Sequence, residues 1–287
     1  MTRQTRLVRS VVATGFARGR VELRQTFTSA DSLVPILIMT GALLAVMVIT
    51  RRITVPGTHF SLGTTMLTSV LGMNVGVNGL SSMCGLLAAE REDGTLLRAK
   101  ATPNGMAGYL LGKVVTVSGI VLVGVTGTLI VGVFVFRGLT LGPATAWLTL
   151  AWVLLLGLLA TLPLGAILGS LFPSARSAGL VTLFIGAITA VSGIFYPITH
   201  LPGWLQLVGQ MFPLYWMSLG MRSALLPGSL AVVEIGHSWR HLATAGVLGA
   251  WAVAGLLVAP VLLRRVARRE SGSNVQARRE KAMKRIA

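Results

Sequence analysis

The residues best suited to chemistry are gathered in one short stretch, Glu90-Arg91-Glu92-Asp93-Gly94-Thr95-Leu96-Leu97-Arg98-Ala99-Lys100. It sets an acidic cluster, Glu90, Glu92 and Asp93, among basic neighbours. That is charge suited to recognising a surface. It supplies no nucleophile–base pair and no metal triad of the kind an enzyme needs. His59, His200, His237 and His241 are scattered, and the single cysteine, Cys84, sits in an apolar run. Neither pattern has the spacing of a metal site or an internal disulfide. Gly108-Tyr109-Leu110-Leu111-Gly112-Lys113 comes nearest to a phosphate loop, but Val114 stands where Ser or Thr would hold magnesium. The chain is read as a non-enzyme without cofactor or metal, and any ATP and magnesium must be bound by another subunit.

The elements that carry this stretch are apolar. The chain is 53% hydrophobic and 11% charged, with mean hydropathy +0.77. Soluble domains carry about 25% charged residues, and a chain of this size has no core large enough to hide the surplus. About 20 apolar residues cross a bilayer as a helix. Leu33–Thr50, Ser61–Ala89, Val114–Phe136, Ala144–Leu171, Ala178–Ile198 and Leu242–Leu263 meet or approach that length. The expected fold is therefore all-α and polytopic, with about six spans. Asp31 is placed to cap the first span, and Pro163 to kink the fourth.

The net charge of +17 sits between the spans, where it favours an anionic membrane face over nucleic acid. Basic residues crowd the segment before the first span, the Glu90–Lys113 loop and the tail after Leu263. The other loops hold few. Both termini are thus expected on the cytoplasmic side, with Thr199–His241 outside. Residues 1–30 are expected to form a basic helix with Val8, Val12 and Phe16 at helical spacing. Two readings stand for it: an interfacial helix on the inner leaflet, or a disordered basic anchor. Residues 31–263 form the membrane domain, and 264–287 a basic cytoplasmic tail touching membrane lipid.

Before the last span, Trp204, Leu207, Val208, Met211 and Phe212 share one helix face, and Leu214–Leu226 follows, too short to span. The pair reads as interfacial or re-entrant helices on the outer surface, with Trp147, Trp204, Trp216 and Trp239 at the level of an aromatic belt. No Asp, Glu, Lys, Arg or His falls inside the six runs, which argues against ion coupling and intramembrane hydrolysis. Their polar residues are small and neutral. Asn74 and Asn78 share a face and line either a path or a subunit interface. Gly157, Thr161, Gly165 and Gly169, like Thr182, Gly186, Thr189 and Gly193, read as helix-packing stripes.

The Glu90-x-Glu92-x-Gly94-Thr95 element, Pro103 and Tyr109-Leu110-Leu111-Gly112-Lys113 together resemble the signature between the second and third spans of ABC-2 type permeases. Ser192-Gly193-Ile194-Phe195-Tyr196-Pro197, then Leu201-Pro202-Gly203-Trp204-Leu205-Gln206 and Phe212-Pro213-Leu214, resemble that family's fifth-span ending and outer hairpin, especially in its drug-resistance branch. The resemblance implies the transmembrane subunit of an ATP-binding-cassette exporter in the bacterial cytoplasmic membrane. Its partners would be a separate ABC ATPase, a second or related permease copy, and a hydrophobic small-molecule substrate such as an antibiotic. Glu90, Glu92, Asp93, Gly94, Thr95, Arg98 and Lys100 would form the loop that docks on the ATPase. The hairpin with Trp204, Phe212, Tyr215 and Trp216 would cover the outer exit. Two other readings are export of a lipid or lipid-linked glycan, and a non-transporting scaffold or assembly factor.

Overall fold

The computed structural model describes residues 3–92, 94–101, 105–172 and 175–269. Its helices are α1 (Arg3–Thr28), α2 (Ala30–Thr50), α3 (Leu62–Met73), a π turn (Asn74–Asn78), α4 (Gly79–Glu92), α5 (Thr95–Lys100), α6 (Gly105–Val135), α7 (Ala144–Leu171), α8 (Ala175–Val191), α9 (Gly203–Met211), α10 (Pro213–Leu225) and α11 (His241–Arg269). The described residues contain no strand, only an isolated bridge between Thr54 and Ser61. The protein is an all-α, polytopic membrane protein. Five segments are long and apolar enough to cross a bilayer: Leu33–Thr50, Leu62–Arg91, Gly105–Val135, Ala144–Leu171 and His241–Val266.

The fifth expected run is shorter than its composition suggested. α8 ends at Val191 instead of reaching Ile198, because Gly193 turns the chain at φ 61, a region that glycine alone enters without strain. The first span also opens differently. Its N-cap is Ser29, and Asp31 lies within the first turn. There its charge favours the helix N-terminus without capping it.

In lipid no hydrophobic force joins helices, so close packing depends on small residues. The glycines of α7 show this directly. A side chain at Gly157 would meet Val75 and Met217, one at Gly165 the Leu80 carbonyl, and one at Gly169 the Cys84 carbonyl. The stripe on α8 is less continuous, since Gly186 faces open space. α1 uses the same device against α6: Gly15 packs on Leu111, Gly19 on Val115, and Leu23 covers Gly119. Contacts advancing in step mean that the two helices run side by side in one direction. The basic helix is thus joined to the bundle, while α2 remains almost wholly exposed.

α9 and α10 are two short helices joined at Phe212. Trp204, Leu207 and Met211 stay exposed on α9, whereas α10 is buried on nearly all sides between α3 and α7. Two ends of the bundle are thereby defined. The α1 end holds the Glu90–Lys100 loop, and the hairpin end holds the loops after α2, α6 and α10.

Candidate functional site

Lys113 lies two turns inside α6 and is 1% exposed, so its ammonium must be paired. Nζ donates to Glu22 Oε2 at 2.7 Å and to Glu90 Oε1 at 2.5 Å. Arg18 donates from Nε to Glu22 Oε1 at 2.8 Å, and its Nη2 reaches Glu90 Oε1 at 3.5 Å. Thr116 Oγ1 donates to Glu22 Oε2 at 3.0 Å. The Arg18 guanidinium stands 4.9 Å from the Tyr109 ring centroid, a cation–π distance. Burial opposes the charge on Glu22, but hydrogen bonds from Lys113 and Arg18 outweigh it and hold the carboxyl below its usual range. The group locks α1, α4 and α6 together at the root of the loop.

Glu90 is therefore turned inward to Lys113, away from the free face of the loop where an ATPase contact was expected. Arg91 turns toward α7 and donates from Nη1 to the Ser170 carbonyl at 2.8 Å. Gly94, at φ 74, reverses the chain between α4 and α5. Thr95 begins α5 and accepts from Arg98 Nη2 at 3.2 Å, and Arg98 is exposed. Ala99 holds α5 in a small apolar cluster with Tyr109, Met106 and Leu110. Asp93 and the side chains of Glu92 and Lys100 lie outside the described residues.

Asn74 and Asn78 open and close the π turn, and Asn78 Nδ2 donates to Asn74 Oδ1 at 2.8 Å. The Asn74 amide lies over Gly124 of α6, where an added side chain would meet Oδ1 at 2.8 Å. Met73, Asn74, Val77, Asn78, Ser82 and Gly85 share a partly exposed stripe, and nothing covers Gly85. Ser81, beside it, buries Oγ without a hydrogen-bond partner among the described residues. A stripe of amides and hydroxyls is costly to present to hydrocarbon, and π turns recur at functional positions within helices.

A family model described as ABC-2 family transporter protein matches residues 24–259. The chain belongs to that family. Comparison with curated proteins finds no match. The chain is thus a multi-pass permease subunit of an ABC transporter, a family whose members work with an ABC ATPase.

Within the permease the hairpin residues divide. Trp204 is 66% exposed, whereas Tyr215 and Trp216 are buried and Phe212 is half-buried. Phe212 stacks on Trp251 of α11 and meets the edge of Phe184 on α8. Trp216 does not belong to an aromatic belt. Its Nε1 donates to the Gln210 carbonyl at 2.7 Å, beneath the Arg240 guanidinium. Three buried charges among the described residues escaped sequence reasoning, Lys113, Arg222 and Glu234, and so did the half-buried Glu22. A signal was present, since Glu22 is the lone acid of a basic helix and Lys113 the lone charge of α6.

Proposed function

We propose that this permease exports an amphipathic or hydrophobic compound, such as an antibiotic or drug, across the bacterial cytoplasmic membrane. The α1 end faces the cytoplasm, with both termini there, and the hairpin end faces out. A separate ATPase binds ATP and magnesium and docks on the Glu90–Lys100 loop. A second permease copy packs on the exposed α2. The observation that carries the reading is the neutral polar stripe of Asn74, Asn78 and Ser82, lying within a span below α10. It offers hydrogen bonds to an uncharged cargo while demanding no charge of it. Glu90 anchors the loop inward, so its ATPase contacts fall to Glu92, Asp93 and Arg98.

The test is efflux of a neutral amphipathic dye from cells making the permease and its ATPase. Asn78→Leu should lower efflux about tenfold, by removing a half-buried hydrogen-bonding amide, at an unchanged membrane level. Glu92→Lys with Asp93→Lys should leave insertion intact, weaken co-purification of the ATPase and abolish efflux. Wild-type efflux from either variant would reject the corresponding role.

A further inference from the structure

Arg222 sits in the last turn of α10 at 2% exposure, and its guanidinium touches three other elements. Nη2 donates to Glu234 Oε2 at 3.2 Å, and Nε lies 2.7 Å from Oε1 as an ionic contact without hydrogen-bond alignment, so two nitrogens of the guanidinium face the two carboxylate oxygens. Nη1 donates to Ser69 Oγ of α3 at 2.8 Å and to the Gly193 carbonyl beyond α8 at 3.3 Å. The same Ser69 accepts, at its carbonyl, the Ser218 hydroxyl of α10 at 3.0 Å. Beside it the backbones of α3 and α10 touch, for a side chain at Gly72 would stand 2.5 Å from Ser218 N and Cα. One guanidinium thus sits where the seat of α10, the end of α8 and the strap that carries Glu234 converge.

That strap, residues 227–240, is built of two short 3-10 turns, Gly228–Val233 and Ile235–His237. Glu234 is 5% exposed and is the one acidic residue between Asp93 and Glu270. The strap is strained as well. His237 and Arg240 hold φ of 50 and 48, a left-handed conformation that side-chain-bearing residues enter at a cost. Beyond Glu234, the strap is held by the Thr199 hydroxyl donating to the Val233 carbonyl at 3.3 Å, by Arg240 Nη1 donating to Gln210 Oε1 at 2.7 Å over the Trp216 ring, and by Leu230, Ile235 and Trp239 packing inward.

A buried ion pair is a poor source of stability, because apolar residues of the same shape often do as well or better. What it provides is a directional contact with two distinct states, joined and dry or parted and hydrated. Strap strain favours the parted state, and the two-point contact favours the joined one. We propose that Arg222 is the positioning residue of α10: paired with Glu234, it clasps the helix in its seat against α3, and parting the pair frees α10 and the strap together. The clasp stands on this geometry alone and does not depend on α10 closing a transport path. If α10 does close one, the clasp sets when it opens.

The test uses purified permease in lipid nanodiscs, with Cys84→Ala and one reporter cysteine, exposed to a water-soluble thiol reagent. Ser218→Cys reports the seat of α10, and Val117→Cys, deep in α6, reports the bundle; both positions are 0% exposed. With the clasp intact both react slowly. Glu234→Gln should speed reaction at position 218 about tenfold, as local opening does, and leave position 117 unchanged. Arg222→Lys keeps the charge but loses the two-point fork, so it should fall between. Glu234→Asp, the milder variant if Glu234→Gln cannot be made, should also fall between. An unchanged rate at 218 in these variants overturns the clasp. So does an equal rise at both positions, which would mark Arg222 as a general stabiliser.

Discussion

At the α1 end, Lys113 of α6 joins two carboxylates carried by helices, Glu22 on α1 and Glu90 on α4. At the hairpin end, Arg222 meets one carboxylate carried by a strap with two strained residues. Both cations are almost fully buried and both bridge distant parts of the chain. The difference lies in what each charge is fastened to. The first group has five members, Arg18, Glu22, Glu90, Lys113 and Thr116, and its charges are shared among three helices. The second has a carboxylate that can swing out with its loop and be hydrated. The same chemistry therefore makes a rigid joint in one place and a releasable one in the other.

The largest effect should come from Lys113→Met, which strands Glu22 and Glu90 with only Arg18 nearby. A buried pair broken on one side costs about 3–5 kcal/mol, visible as a large fall in the melting temperature of detergent-purified protein. Arg222→Met should cost clearly less, because Glu234 finds water when the strap lifts. Equal losses from the two variants would erase the distinction between joint and clasp.

Glycine contacts sharpen it further. A methyl at Gly72 would meet Ser218 N, Ser218 Cα and the Met217 carbonyl carbon within 2.6 Å, all of them backbone. A methyl at Gly19 would meet the Val115 side chain at 2.6 Å and one backbone atom, the Gly112 carbonyl oxygen, at 2.8 Å. Overpacking costs about 1–3 kcal/mol, and Gly72→Ala should lie at the upper end, since backbone yields least. Melting curves ranking Gly19→Ala as the worse variant would show that the α1 joint is the less forgiving one.

The smallest effect is on pH. The Glu22 carboxyl is held below its usual range in the folded protein, so the unfolded chain takes up its proton first as pH falls. Its contribution is complete above the ordinary carboxylate range, near pH 4, and is lost as pH drops through the lowered folded value. The wild type should therefore lose melting temperature more steeply than Glu22→Gln as pH falls below about 4, and in parallel with it above that. Curves parallel throughout would mean that the joint draws nothing from that charge.

Much of the fold was legible because a bilayer demands long apolar runs. Five of the six runs contain long spans, and the two short helices α9 and α10 fall where two segments too short to cross were read. The end of α8 was missed because apolar composition continues past Val191 while the backbone turns at Gly193. Trp216 was assigned to a belt from its place in a loop, although Leu214–Leu226 is apolar on almost every side, the mark of a buried helix. The docking loop was legible as a charged segment, but the inward turn of Glu90 was not. Its partners Lys113 and Arg18 lie 23 and 72 residues away in the sequence, and no local spacing records such a contact. Lys113 itself escaped because the third run was bounded by apolarity, whereas α6 begins earlier, at Gly105.

The early stop of α8 has a consequence for the surrounding bilayer. Its 17 residues make a rod of about 25 Å, against a hydrocarbon layer of about 30 Å. The backbone beyond it is tolerated at that depth because protein shields it: Ser192 and Ile194 are buried, and Arg222 takes up the Gly193 carbonyl. The lipid-facing side of α8, with Leu180, Leu183 and Phe184 exposed, ends where the rod ends. Acyl chains bordering it must shorten or tilt to match, at fractions of a kcal/mol per Å. Hydrophobic mismatch is thus concentrated on one flank of the molecule, and thinner bilayers relieve it.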